Sequence, residues 1–113
     1  MVTAILICFT INTKKFKTIY ERNKFFKELY GWRQVIKRDK RNYEYRRKGI
    51  LDEIPHIRVD QSMFIILEKH LQLMRMFFDE WKDKIEWKEF KVFLDEEKMK
   101  MLEGLRENDR KRS

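Results

Sequence analysis

The chain of 113 residues has one cysteine, one proline, two histidines and three glycines. A single cysteine, Cys8, leaves no partner for a disulfide within the chain and no cysteine-based metal site, and it suits a reducing cytosol. The glycines, Gly31, Gly49 and Gly104, stand alone, so the glycine-rich loops that cradle nucleotide phosphates are missing. Zinc-finger spacing is missing too. The longest apolar run, VTAILICFTI, is about 10 residues, against the ~20 that a membrane-spanning helix needs. It lacks a basic segment before it and a small-residue cleavage site after it, so it does not read as a signal peptide. These absences argue against a membrane protein, a disulfide scaffold and the common nucleotide-binding enzymes. The expected location is cytoplasmic, with no cofactor.

Charge is abundant instead. Charged residues make up 41% of the chain, and 27 Lys and Arg against 19 Asp and Glu give a net charge of +8. Such a surplus favours an acidic partner, nucleic acid first. Hydrophobic residues at 42% and aromatics at 14% still allow one modest core.

The surplus is concentrated in one stretch, Trp32 to Lys48, WRQVIKRDKRNYEYRRK. It holds eight cations, Arg33, Lys37, Arg38, Lys40, Arg41, Arg46, Arg47 and Lys48, opposed only by Asp39 and Glu44. Trp32, Tyr43 and Tyr45 are interleaved with them. Cations suit phosphates and rings suit bases, so the stretch reads as a nucleic-acid arm. Its rough alternation and the polar segment Asp39 to Asn42 predict a hairpin.

Around it, Val2 to Ile11 reads as a central strand, apolar on both faces. Lys14 to Tyr30 reads as a helix with Thr13 as N-cap, Gly31 as C-cap, and Phe16, Ile19, Tyr20, Phe26, Leu29 and Tyr30 on its apolar stripe. Gly49 to His56 is a connection. Ile57 to Ile66 reads as a strand with a bulge near Asp60 to Ser62. Leu67 to Ile85 reads as a second helix, with Leu67, Leu71, Met74, Phe78, Trp81 and Ile85 at helical spacing. Trp87 to Leu94 is a last strand with Phe90, Val92 and Leu94 on one face.

This order predicts an α+β, ferredoxin-like βαββαβ sandwich over residues 1–95, with the basic hairpin inserted at 32–48. Residues 96–113 follow as a short helix and a mobile basic tail. Both helices would cover one face of the sheet. The other face would be solvated or would pair with a second copy, and the homodimer is favoured.

Three stretches carry a family resemblance: the opening strand ending Phe9-Thr10-Ile11, the helix end KFFKELYGWRQ (Lys24 to Gln34), and VDQSMFII (Val59 to Ile66) with Gln61, Ser62 and Phe64. Together they resemble the Cas2-like family of CRISPR-associated proteins and related ferredoxin-like domains. The resemblance implies a dimeric scaffold that meets nucleic acid. Two departures stand out. Where that family has a metal-binding aspartate after the first strand's aromatic, this chain has Thr10, which lacks the carboxylate a Mg²⁺ site needs. It also inserts about twenty residues, including the basic hairpin, before the Ser-x-Phe strand.

The expected function is therefore non-catalytic nucleic-acid binding through Arg33, Lys37, Arg38, Lys40, Arg41, Arg46 and Arg47 on phosphates, with Tyr43 and Tyr45 stacking or bracing. The rival readings are a metal-dependent nuclease of Cas2-like or toxin-like kind and a protein-interaction module. Asp52, Glu53, His56 and Asp60 lie close in sequence but match no ligand signature, and they read as a polar loop. Ser62 has no evident base and reads as an ordinary strand serine.

Overall fold

A computed structural model describes residues 2–111 of the chain, and the side chains of residues 3–103. The order is β1 (Val2–Ile11), α1 (Ile19–Tyr30), β2 (Trp32–Arg38), β3 (Arg41–Arg47), α2 (Ile50–Glu53), β4 (His56–Asp60), β5 (Met63–Ile66), α3 (Leu71–Glu80), β6 (Ile85–Leu94) and α4 (Glu96–Lys111). The class is α+β with an antiparallel sheet. The chain divides into two compact units, one of Met1–Lys15 with Ile54–Ser113 and one of Phe16–Glu53.

The first unit holds a four-stranded sheet in the order β4-β5-β1-β6, antiparallel throughout. β1 is central because both of its faces are apolar. Ile5, Ile7 and Phe9 face one way, beside Phe64 and Ile66 of β5 and Ile85 of β6, and all six are buried. α3 covers this face. Its Phe78 lies 5.7 Å from Phe9 between ring centres and stacks on Trp87 at 5.4 Å. Arg75 of α3 donates to the Glu89 carboxylate of β6, from Nε at 2.9 Å and from Nη2 at 2.6 Å. The Trp87 indole N–H also donates to Glu89, at 3.1 Å.

The opposite face is not left to solvent at the Ala4 end. Ala4 and Leu94 are buried with Met99 and Leu102 of α4, alongside Ile57, Ile65, Leu67 and Val92. Away from α4 the same face opens. Phe90, opposite Leu6 in the register, is 48% exposed.

Several boundaries differ from the sequence reading, each for a local reason. α1 begins at Ile19 rather than Lys14. Asn12 Oδ1 accepts the Lys14 N–H, a single 3-10 turn covers Thr13–Lys15, and the helix is capped by Thr18, whose hydroxyl accepts the Glu21 N–H at 3.2 Å. Its buried side chains are Phe25 and Leu29, while Ile19 is 68% and Tyr20 81% exposed. The supposed strand from Ile57 to Ile66 is a hairpin of two strands. Asp60 Oδ1 accepts the Gln61 N–H at 2.7 Å, the chain turns at Gln61–Ser62, and the register slips between Arg58 and Asp60.

The second helix is shorter than Leu67 to Ile85. A 3-10 turn occupies Glu68–His70, α3 ends at Glu80, and Ile85 already pairs with Ile11 in β6. The buried stripe is Leu71, Met74, Phe77 and Phe78. α4 is longer than read. Asp95 caps it by accepting the Lys98 N–H at 2.9 Å, and the backbone stays helical through Lys111 instead of giving way to a mobile run at Arg106. Lys, Arg and Glu propagate helices well once a first turn is anchored. Arg112 and Ser113 lie outside the described residues. No helix among the described residues is long and apolar enough to cross a membrane.

Candidate nucleic-acid interface

The second unit contains the basic stretch. β2 and β3 pair only with each other, in the register Trp32↔Arg47 through Arg38↔Arg41. A two-residue loop, Asp39–Lys40, joins them, and Asp39 takes a positive φ of 56°. Aspartate is among the few residues besides glycine that accept this conformation.

An isolated two-stranded ribbon is marginal in water, so its base needs fastening. Gly31 and Gly49 supply the fastening. Gly31 ends α1 with a φ of 79°, its N–H donating to the Lys27 carbonyl at 2.8 Å. Gly49 approaches so closely that a Cβ there would sit 2.2 Å from the Gly31 nitrogen. Asp52, in the first turn of α2, accepts the Gly49 N–H at 2.8 Å and the Arg46 guanidinium at 2.9 and 3.0 Å. Arg46 Nη2 also donates to the Tyr30 carbonyl at 2.8 Å. Asp52 thus holds the β3 end, and through Arg46 the clamp reaches the Tyr30 carbonyl at the β2 end. Among the described residues no group of three or more His, Cys, Asp or Glu side chains could hold a metal ion.

The alternation of a strand sorts the candidate residues onto two faces. One face carries Trp32, Gln34, Ile36 and Arg38 of β2 against Arg47, Tyr45, Tyr43 and Arg41 of β3. The other carries Arg33, Val35 and Lys37 against Arg46, Glu44 and Asn42. Both tyrosines therefore share a face with Trp32 and three arginines. Tyr43 is 42% and Tyr45 46% exposed. The Arg47 guanidinium lies 5.6 Å from the Tyr45 ring centre, and its Nε donates to Gln34.

The cations divide in the same way. Arg33 is paired with Glu44, and Arg46 with Asp52. Lys37, Arg38, Lys40 and Arg41 form no ion pair among the described residues, and all are exposed. Of the sequence-derived candidates, the hairpin brings Arg38, Arg41, Tyr43, Tyr45 and Arg47 onto one face. Lys40 is at the tip, Lys37 lies on the reverse face near the tip, and Arg33 and Arg46 are held toward the base.

One feature was missed in the sequence. A groove of about 400 Å³ runs beside α1, lined by Tyr20, Asn23, Lys24, Lys27, Glu28, Trp32 and Lys48. Its signal was the spacing of Tyr20, Lys24 and Lys27, which sets them on one side of a helix. Counting Tyr20 in the apolar stripe of α1 conceals that pattern.

In the first unit, Thr10 lines a wider depression of about 660 Å³ with Cys8, Lys82, Ile85, Glu86, Trp87 and Lys88. Glu86 is its single carboxylate among the described residues, and Lys82 and Lys88 line it too. Asp60 is engaged with the Gln61 N–H. The chain matches no family model, no curated protein and no solved structure at a significant level.

Proposed function

We propose that the protein binds nucleic acid without catalysing a reaction, through the aromatic face and tip of the β2–β3 hairpin. The observation that carries this reading is the uncompensated pair Arg38↔Arg41. The two arginines lie directly opposite one another across the ribbon, flanked by Lys37 and Lys40. Like charges in that position destabilise a hairpin by ~0.2–1 kcal/mol. The same ribbon neutralises Arg33 with Glu44 and Arg46 with Asp52 at its base, whereas Asp39, the carboxylate of the turn, forms no ion pair with Arg38 or Arg41 among the described residues. A tip left electropositive beside two exposed tyrosines suits a polyanion whose bases can stack, at ~1–3 kcal/mol for each base.

In this reading Lys37, Arg38, Lys40, Arg41 and Arg47 meet phosphates, Tyr43 and Tyr45 meet bases, and Arg33 and Arg46 brace the arm. The strand order β4-β5-β1-β6 supports a ferredoxin-like scaffold, since it places the first and third of the four sheet strands side by side in the middle. That order also supports the likeness to Cas2-like proteins. The open part of the sheet around Phe90 and Leu6 supports pairing with a second copy. Phe90→Glu should then lower the sedimenting mass from dimer to monomer, and a wild type already at monomer mass would remove the dimer.

The deciding experiment is a fluorescence-anisotropy titration with labelled DNA and RNA over several salt concentrations, with and without Mg²⁺, the samples then being run on a denaturing gel. Five phosphate contacts predict a slope of log K against log salt of about −4.5 on duplex or −3.5 on a single strand. Lys40→Ala with Arg41→Ala should shallow that slope by about 1.4 to 1.8. Unaltered affinity in this double variant refutes the arm. Mg²⁺-dependent cleavage favours the nuclease, and a failure to bind DNA or RNA, single- or double-stranded, favours a protein-interaction module.

A further inference from the structure

We infer that the ligand of this surface is a single strand, and that the groove beside α1 is a second base-and-phosphate subsite on the same track. The inference rests on the nucleic-acid reading of the hairpin and adds the class of ligand and a site outside the arm. Trp32 joins the two. By register it belongs to the hairpin face that carries Tyr45 and Tyr43, and it also lines the groove with Tyr20. Tyr43, Tyr45, Trp32 and Tyr20 are thus contiguous ring positions, from the arm to the flank of α1.

The cations run alongside the rings. Arg41, Arg38 and Arg47 share the hairpin face, and Lys48, Lys27 and Lys24 continue into the groove. The Lys27 ammonium lies 4.2 Å from the centre of the Trp32 ring, so charge and ring are presented together. Among the described residues Glu28 is the one carboxylate lining the groove, against three lysines.

Tyr20 is the diagnostic residue. It is 81% exposed on a helix whose packing side chains are Phe25 and Leu29, so burial in its own unit does not account for a ring there. Rings presented on an exposed face can stack only on bases that are free to leave their own stack. A duplex offers edges and phosphates, whereas a single strand offers π-faces of every base. From Trp32 to Arg38 the face is about 20 Å long, enough for about six stacked nucleotides before the groove is reached.

The test uses the full-length protein with fluorescein-labelled oligothymidylate and oligouridylate of about 12 nucleotides, and a duplex of equal length. Tyr20→Ala should weaken single-strand binding by about tenfold or more and leave duplex binding unchanged. Lys24→Ala with Lys48→Ala should reduce the single-strand salt slope by about 1.4. All three side chains are surface residues, and circular-dichroism melting of each variant checks that the fold is retained. If Lys40→Ala with Arg41→Ala weakens binding but both groove variants bind as wild type, the groove is refuted and the arm stands. If the duplex is preferred, the single-strand assignment is refuted and nucleic-acid binding stands. If no oligonucleotide binds, both readings fall together.

Discussion

Replacing Gly49 by alanine should unfasten the hairpin. The added Cβ would lie 2.2 Å from the Gly31 nitrogen and 2.6 and 2.7 Å from the carbonyl oxygen and carbon of Leu29. All three are backbone atoms at the capped end of α1, so no flexible side chain can swing away. A contact closer than 3.0 Å is essentially never tolerated by a real Cβ, and here the backbone must open by most of an ångström. That opening separates the Gly49 N–H from Asp52 and strains the Asp52–Arg46 pair, which in turn positions Arg46 on the Tyr30 carbonyl. One or two hydrogen bonds at ~1 kcal/mol each, added to ~1–3 kcal/mol of overpacking, give a loss of about 2–5 kcal/mol. Asp52→Ala keeps the close approach but removes the acceptor, for about 1–2 kcal/mol. Arg33→Ala, which breaks an exposed pair with Glu44, should cost under about 1 kcal/mol. Hydrogen exchange read by mass spectrometry is the assay, because it resolves where protection is lost. For Gly49→Ala, protection should fall in β2, β3 and α2 while β1, β5 and β6 keep theirs. Wild-type exchange across residues 32–53 in that variant would refute the clamp.

Two further outcomes follow from the geometry. Asp39→Gly relieves the positive φ at the turn and should stabilise the hairpin by about 0.5–1 kcal/mol, while removing the acidic residue from the tip should tighten nucleic-acid binding; protection of β2 and β3 together with the anisotropy titration checks both, and a destabilised hairpin contradicts the turn assignment. The Glu89 carboxyl is held below its ordinary value of 4.5, chiefly by the hydrogen bond from Arg75, with burial opposing and the Trp87 N–H and the Arg75 charge assisting. A carboxyl depressed in the folded state contributes stability above its unfolded pKa and loses it as pH falls through the folded value. Wild type and Arg75→Ala should therefore differ in melting temperature at neutral pH and converge in acid, and a constant difference at all pH values would refute the role of that pair.

How much of this was legible in the sequence depended on whether the signal was local. The hairpin was, because strand alternation, a polar turn and interleaved charge all fall within seventeen residues of one another. Gly31 was legible as a helix stop for the same reason. The partition of its cations was not, since Arg46 meets Asp52 only after the chain has turned at Gly49. The capping of α1 was misplaced because Thr13 and Thr18 are equally good cap residues in isolation. Asn12 decides between them by closing a 3-10 turn first. The stripe from Leu67 to Ile85 looked continuous because Ile85 and Trp81 happen to keep helical spacing. Yet Ile85 is claimed by β6, where it faces Ile11 across the sheet. The covering of Ala4 and Leu94 by α4 depends on contacts across the chain that no periodicity reports.

The arm and its fastening place opposite demands on the same residues. A ribbon this charged gains little from burial, since every residue of β3 is exposed, so its order must come from its ends. At the base the cations are consumed in that task. Arg46 spends its guanidinium on Asp52 and on the Tyr30 carbonyl, and Arg33 is matched by Glu44. At the tip no such compensation is made, although a carboxylate in place of Asn42, opposite Lys37, would have supplied it. Repulsion between Arg38 and Arg41 then works against closure of the last rungs, and an anion bridging them removes that repulsion. Binding and ordering of the tip are therefore coupled. The free energy withheld from the free hairpin is returned when a phosphate sits between the arginines, so with oligonucleotide present tip protection should fall as salt weakens binding, while in the free protein salt, which screens the same repulsion, should raise it.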